Sequence, residues 1–364
     1  MFNVLLIGNY PPPYGGVSHH VASIHKILRK RNIESIVINV SSSSAASCSD
    51  VIHSSSRIKI IYNILYYCRK SKNIHLHTNG HNFKSWLFIF ICGLISKIYK
   101  KYSLVTFHSG LSPSYVLRMN RVFKALFVSS LNWYEKIIVV NSKIKAVLIE
   151  NRIEEESIEI IPAYLGLQSE PKALDNYEIE KFMDSRNPLM SSIVAFRKEY
   201  NIDTLIALME NIINEYHNAG LVIIGAGEGY REIETQIKNK KLENNIFLVV
   251  DIAPTHVYDI LKKSNIFLRL TDYDGDAISI REAQELGVPV IASKTDFRPE
   301  GVVTYEIGNK EDLYSKVSIA LKSNLRDEVK APQVGTKNVD RILSHYNIGK
   351  QTGDNGIITE RASD

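Results

Sequence analysis

Two regions of this chain alternate short β-branched runs with apolar stripes at helical spacing, and that rhythm admits few folds. In the first half, strand-like runs fall at residues 3–7, 35–40, 74–77, 104–107, 137–140 and 158–161. Val17, Val21, Ile24 and Leu28 form one helical face between them, and residues 58–67 form another. The pattern lapses into polar residues around Pro171, then restarts with runs at 193–196, 221–224, 246–250, 266–270 and 288–292. Strands separated by helices of this length imply right-handed crossovers and parallel sheets covered on both faces. The expectation is an α/β chain of two doubly wound units. We expect a first domain over 1–165, an interdomain segment over 166–188, a second domain over 189–335 and a closing helix over 336–349. Ser41–Ser47 reads as a loop, and 350–364 as a disordered tail. Ligands of open α/β sheets sit beyond the carboxyl ends of the strands, so the cleft between the units is the expected site.

Charge divides the chain in the same place. Residues 1–150 carry 19 Lys/Arg against 4 Asp/Glu, and the remainder 25 against 35, within a total of +5. A basic front half calls for an anionic partner, or simply solvates its helices with lysine. The apolar run Trp86–Ile95, followed by Lys97, Lys100 and Lys101, is too short to span a bilayer. It reads equally as an interfacial segment facing anionic headgroups or as a buried helix. No recognition module accompanies the basic residues, so nucleic acid is not an expected partner. Cys48, Cys68 and Cys92 form no metal or disulfide spacing, and Met1 leads straight into a strand without a basic leader. The expected location is the cytoplasm.

Six stretches carry candidate chemistry. Gly15-Gly16 lies between the first strand and its helix, where backbone amides can approach a phosphate; a tight proline-stiffened turn is the alternative. Gly225-Ala-Gly227-Glu-Gly229 fails the dinucleotide fingerprint, because its third glycine comes one residue early, and reads instead as a glycine turn near a nucleotide. His75-Leu-His77 and His108-Ser-Gly110 end first-domain strands, and His108 is the better candidate for a polar role. With no Cys or acid at ligand spacing, metal ligation is not expected there. Asp272-Tyr-Asp274-Gly-Asp276 suits a divalent cation on a diphosphate, a solvated turn, or carboxylates meeting sugar hydroxyls. Ser279-x-x-Glu282 fits a capping box for the helix that follows, which Gly287 and Pro289 should stop.

Together these residues resemble the retaining family-4 (group 1) glycosyltransferases of the GT-B fold, especially those of bacterial surface-polysaccharide assembly. The resemblance runs from Gly15-Gly16 to about Tyr346. Its most specific part is the family's pair of acids with seven residues between them, here Asp274-Gly-Asp-Ala-Ile-Ser-Ile-Arg-Glu282-Ala, then Gly287-Val-Pro-Val-Ile-Ala-Ser293. Arg298-Pro-Glu-Gly301 looks like the version found in polysaccharide-cluster enzymes. The resemblance implies two Rossmann-like domains facing across a cleft. It implies that Asp274 and His108 contact the transferred sugar and that Glu282 holds the donor's ribose diol. Gly15, Gly16, Gly227 and the amides of Asp276, Ala277 and Ile278 would approach the nucleotide-sugar. It implies no metal: helix dipoles and basic side chains stabilise the leaving diphosphate. In three places the chain departs from the pattern. The first acid is Asp rather than Glu, Ala163-Tyr164 replaces Asn-Gly, and Ile202 stands at the lysine position of the phosphate clamp, leaving Arg197 or Lys198 to serve.

The expected activity is hexosyl transfer from a UDP-sugar, with a GDP-sugar as the alternative. The expected acceptor is a lipid-linked glycan of O-antigen, lipopolysaccharide, capsule or exopolysaccharide synthesis. The basic first domain would dock on the inner face of the cytoplasmic membrane. Rival readings are a catalytically weak nucleotide-sugar-binding subunit, motivated by the altered clamp, and a GT-B-type nucleotide-sugar epimerase, which would need no acceptor.

Overall fold

The computed structural model describes residues 1–41, 49–54, 56–250, 252–323, 326, 329 and 335–348. The loop reading at 42–47 and the tail at 350–364 lie outside the described residues. Seven strands form the first sheet: β1 (Phe2–Gly8), β2 (Ser35–Asn39), β3 (Val51–His53), β4 (Ser71–Thr78), β5 (Tyr102–Phe107), β6 (Lys136–Val139) and β7 (Ile158–Ile160). Six form the second: β8 (Leu189–Ala195), β9 (Gly220–Ala226), β10 (Ile246–Val250), β11 (Ile266–Arg269), β12 (Val290–Ser293) and β13 (Val303–Tyr305). The orders are β3-β2-β1-β4-β5-β6-β7 and β10-β9-β8-β11-β12-β13. Every pairing is parallel. Each order reverses direction once, between β1 and β4 and between β8 and β11, and those are the crevices where such sheets bind ligands.

Alternation along the strands divides the cores. Leu5 and Ile7 of β1 enter one apolar cluster, whereas Val4 and Leu6 enter the other, on the opposite face of the sheet. In β9, Leu221 and Ile223 likewise part from Val222 and Ile224. Strands β3 and β13, three residues each, lie outside the runs read from the sequence.

Both segments expected outside the two domains pack into a core. The interdomain segment holds a helix, Tyr177–Asp184, which packs Ile179, Phe182 and Met183 against Leu189, Val222 and Ile224 of the second sheet. Its apolar residues stand at i, i+3 and i+4, but a helix of eight residues among acids looked like linker. The second domain therefore begins before β8. The closing helix, Gly335–Ser344, returns to the first domain: Val339, Ile342 and Tyr346 join Val4, Leu6 and Val21. Tyr346 Oη meets His75 Nδ1 at 2.7 Å, beneath the sheet's central strands.

The apolar run beginning at Trp86 lies in the helix Phe83–Ile98, where Asn82 accepts the N–H of Ser85 as N-cap. Trp86, Ile89, Cys92 and Ile95 are buried, while Phe83, Leu87, Leu94 and Ile98 are exposed. Trp86 Nε1 donates to Gly80 O at 2.9 Å, so the largest core side chain leaves no polar atom unpaired. No described helix is long and apolar enough to cross a membrane.

Candidate active site

A cavity of ≈ 370 Å³ lies between the domains, walled by the carboxyl ends of strands from both sheets. It brings together Gly15, Gly16 and His108 of the first domain with Arg197, Asp274, Asp276, Ala277, Ile278 and Glu282 of the second. Lys198 and Gly227 stand apart from its wall. Lys198 is exposed at the start of a short 3-10 turn, and Gly227, at φ +137, closes on the backbone of Phe196. Ile202 is buried in the second core and offers no cation.

The domains meet backbone to backbone at this cavity. A Cβ at Gly275 would lie 2.0 Å from His108 O, and one at Gly110 would lie 2.1 Å from Asp274 O. Only glycine permits that approach. Asn141 Nδ2 donates to Gly275 O at 2.8 Å, and the Ala163 amide donates to Asp276 Oδ2 at 2.9 Å. Asp276 is buried and also accepts from Arg281 Nε at 2.8 Å, so its carboxylate ties the second domain to the crossover peptide.

The second acid of the spaced pair faces across the cleft. Glu282 Oε1 accepts from Tyr258 Oη at 3.2 Å and lies 3.4 Å from Nε2 of His19, three residues beyond Gly16 in the first-domain helix Gly16–Lys30. The capping box is not formed: the helix Ile278–Glu285 starts from Ala277 with no side-chain cap, and Glu282 turns to Tyr258 instead. Its N-terminal dipole therefore meets the cavity wall at Asp276–Ile278 uncompensated by a capping side chain. Gly287, at φ +72, ends the helix as expected.

Asp274 is engaged within its own domain. Its Oδ1 accepts from Arg269 Nη2 at 2.7 Å, and its Oδ2 from Arg298 Nη1 at 2.6 Å and Thr271 Oγ1 at 2.7 Å. Burial pushes its pKa up, but the two guanidiniums outweigh it and hold the carboxyl down to about 2. Both arginines went unread in the sequence as site residues of this kind. The signal available was a lone Arg ending an apolar strand and a second one five residues past the next.

At the His108 end of the cavity lies a histidine cluster. His20, His77 and His108 offer ring nitrogens within 4.8 Å of one another, and among the described residues they form the group able to hold a metal ion. They come from three separate segments, which is why spacing did not reveal them. Burial keeps all three neutral, His20 at a pKa of about 4, and neighbouring imidazoles add to the effect. His20 Nδ1 donates to Ala163 O at 2.7 Å, so its buried Nε2 carries the bare lone pair. His77 Nδ1 and His108 Nε2 are 3.3 Å apart.

Known proteins resemble parts of this sequence and share its fold. Residues 176–328 match the sequence model of "Glycosyl transferases group 1". An uncharacterised glycosyltransferase of Methanocaldococcus jannaschii is 25% identical over 213 residues, which span 53% of this chain and 49% of that protein. The poly(ribitol-phosphate) alpha-N-acetylglucosaminyltransferase of Staphylococcus aureus is 24% identical over 216 residues, 57% of this chain and 41% of that protein. The alignments thus span about half or less of those relatives' own length. Among solved structures, Anabaena HepE in complex with UDP-glucose superposes with a TM-score of 0.71 at 13% identity, covering 94% of this chain and 99% of that one. The chain has the two-domain GT-B fold of glycosyltransferases, and its residues 176–328 match the group 1 glycosyl transferases.

Proposed function

We propose that this chain is a retaining glycosyltransferase that moves a hexose from a UDP-sugar onto a lipid-linked glycan of surface-polysaccharide assembly. The observation that carries the reading is the meeting of Gly15-Gly16 and His108 with Glu282 and an uncapped helix N-terminus in one interdomain cavity. Glu282, with Tyr258 and His19 at its side, has an oxygen suited to a ribose diol. The helix dipole and the arginines at the Asp274 end offset charge that develops on a departing diphosphate, in a site where water is displaced by the closed domains. Transfer in this reading is independent of a metal ion. His108, neutral and half-buried, supplies a hydrogen bond to the sugar rather than a charge.

The acceptor side is the basic first domain. Leu117, Val122, Phe123 and Leu126 are exposed beside Arg118, Arg121 and Lys124, next to an aromatic groove of ≈ 240 Å³ lined by Phe83, Trp86 and Tyr115. Apolar side chains ringed by cations suit an anionic bilayer on the cytoplasmic side. The Staphylococcus relative's name specifies a polyol-phosphate acceptor. The same positive charge suits such a polymer, which is the second reading.

The decisive experiment screens UDP-, GDP- and CMP-sugars by thermal shift, then follows transfer by NMR of the product's anomeric proton. A UDP-sugar that raises the melting temperature and yields an axial-to-axial or equatorial-to-equatorial product supports the proposal. An inverted product, or conversion of the sugar without any acceptor, refutes it.

A further inference from the structure

Two buried arginines beside the cavity share one carboxylate. Arg269 ends β11 with its side chain 11% exposed, and Arg298 follows β12 with its side chain 6% exposed. Both pair with the single carboxylate of Asp274, which gives the trio a charge of +1. Asp274 Oδ2 alone accepts from Arg269 Nε, Arg298 Nη1 and Thr271 Oγ1. Buried charge that is not balanced by the protein is costly unless a ligand completes it.

The two arginines differ in what they face. Arg298 turns inward, donating to Ser293 O at 2.8 Å and Ser293 Oγ at 3.0 Å, and it is not part of the cavity wall. Arg269 lines the cavity. It donates Nε and Nη2 to Asp274 and Nη1 to Ile193 O at 2.7 Å, with Tyr200 stacked 5.1 Å below its carbon. A guanidinium has five N–H bonds, more than these contacts use. Of the other second-domain cations nearby, Arg281 is spent on Asp276 and Lys198 lies outside the wall, whereas Arg197 shares the wall as an exposed side chain. Glu282 with Tyr258 and Asp274 with Arg269 all line the cavity.

We propose that Arg269 receives the terminal phosphate of the donor's diphosphate, and that Asp274 and Arg298 are positioning residues that fix its plane. This rests on the nucleotide-sugar reading of the cleft, with the ribose at the Glu282 end. A planar fork held in place loses little freedom on binding an oxyanion, and a charge-assisted bond of this kind is among the strong ones.

The test compares UDP with UMP by titration calorimetry on the full chain. In Arg269→Met, Asp274 keeps Arg298 as partner, so no buried carboxylate is orphaned. UDP affinity should fall about tenfold or more while UMP affinity changes less than about twofold, so that the UDP-to-UMP ratio collapses. Arg269→Lys, which retains charge but not the fork, should recover part of that ratio, and it serves alone if the methionine variant fails to fold. Arg298→Met should shift the ratio less than Arg269→Met. An unchanged ratio in Arg269→Met, or an equal fall for both nucleotides, overturns the proposal, because a purely structural role weakens both together. If the native chain binds no nucleoside diphosphate at all, the underlying reading of the cleft falls, and the proposal with it.

Discussion

Replacing Gly275 with alanine tests whether this interdomain approach is the functional state. The added Cβ would lie 2.0 Å from His108 O, 2.9 Å from its carbonyl carbon and 3.1 Å from Val140 Cγ2. Ordinary contact begins at 3.4 Å, so the first of these is short by about 1.4 Å. The atom in the way is backbone at the end of β5 and cannot rotate aside, so the domains must part. Parting would also weaken the 2.8 Å bond from Asn141 to Gly275 O and the 2.9 Å bond from Ala163 to Asp276, each worth about 1 kcal/mol. Overpacking of this kind costs about 1–3 kcal/mol, which lowers the closed population roughly 5- to 150-fold. Neither sheet includes the substituted atom, so far-ultraviolet circular dichroism should match the native chain. Solution scattering should show a larger radius of gyration, and kcat/KM for sugar transfer should drop about 10- to 100-fold. Native turnover with an unchanged scattering curve would mean that the approach of Gly275 to His108 is not needed for transfer.

Three further outcomes follow from the same geometry. Glu282→Ala should abolish or sharply reduce the thermal shift produced by UDP; an undiminished shift removes Glu282 from the ribose. His20 has a folded pKa of about 4 against 6.5, so the unfolded chain binds the extra proton between those values, and stability falls as pH drops from 6.5 toward 4 by up to about 3 kcal/mol from this group. His20→Asn should flatten that part of the urea-melt profile, and a slope equal to the native one would show that His20 does not titrate on unfolding. The chain should sediment with anionic vesicles at low salt and be released as ionic strength rises; reversing Arg118, Arg121 and Lys124 to glutamate should remove most of the binding, at about 1 kcal/mol per charge, and binding that ignores both changes would refute docking through this face.

Much of the scaffold was legible because it rests on local rules. Continuous apolar strands such as β1, striped helices such as Gly16–Lys30 and the glycine stop at Gly287 are dictated by neighbours in sequence. The placement of Gly15-Gly16 and Glu282 at opposite walls of one cleft followed from strand ends in a parallel sheet. Short elements were illegible, since β3, β13 and the helix Tyr177–Asp184 bury too few residues to impose a period.

The sequence by itself determined two doubly wound units, the glycine loop and the spaced acids at a helix start, because each is a pattern within one segment. It also set the capping box as a fair expectation, and only tertiary structure sent Glu282 to Tyr258 and His19 instead. Tertiary structure alone decided that Asp274 belongs to two arginines and that His20, His77 and His108 share one pocket. It also decided that one residue, Ala163, bonds both that pocket and Asp276. The physical reason lies in the order of strands: β11 and β12 are neighbours in space, as are β1, β4 and β5, and side chains at their ends meet whatever the length of chain between them.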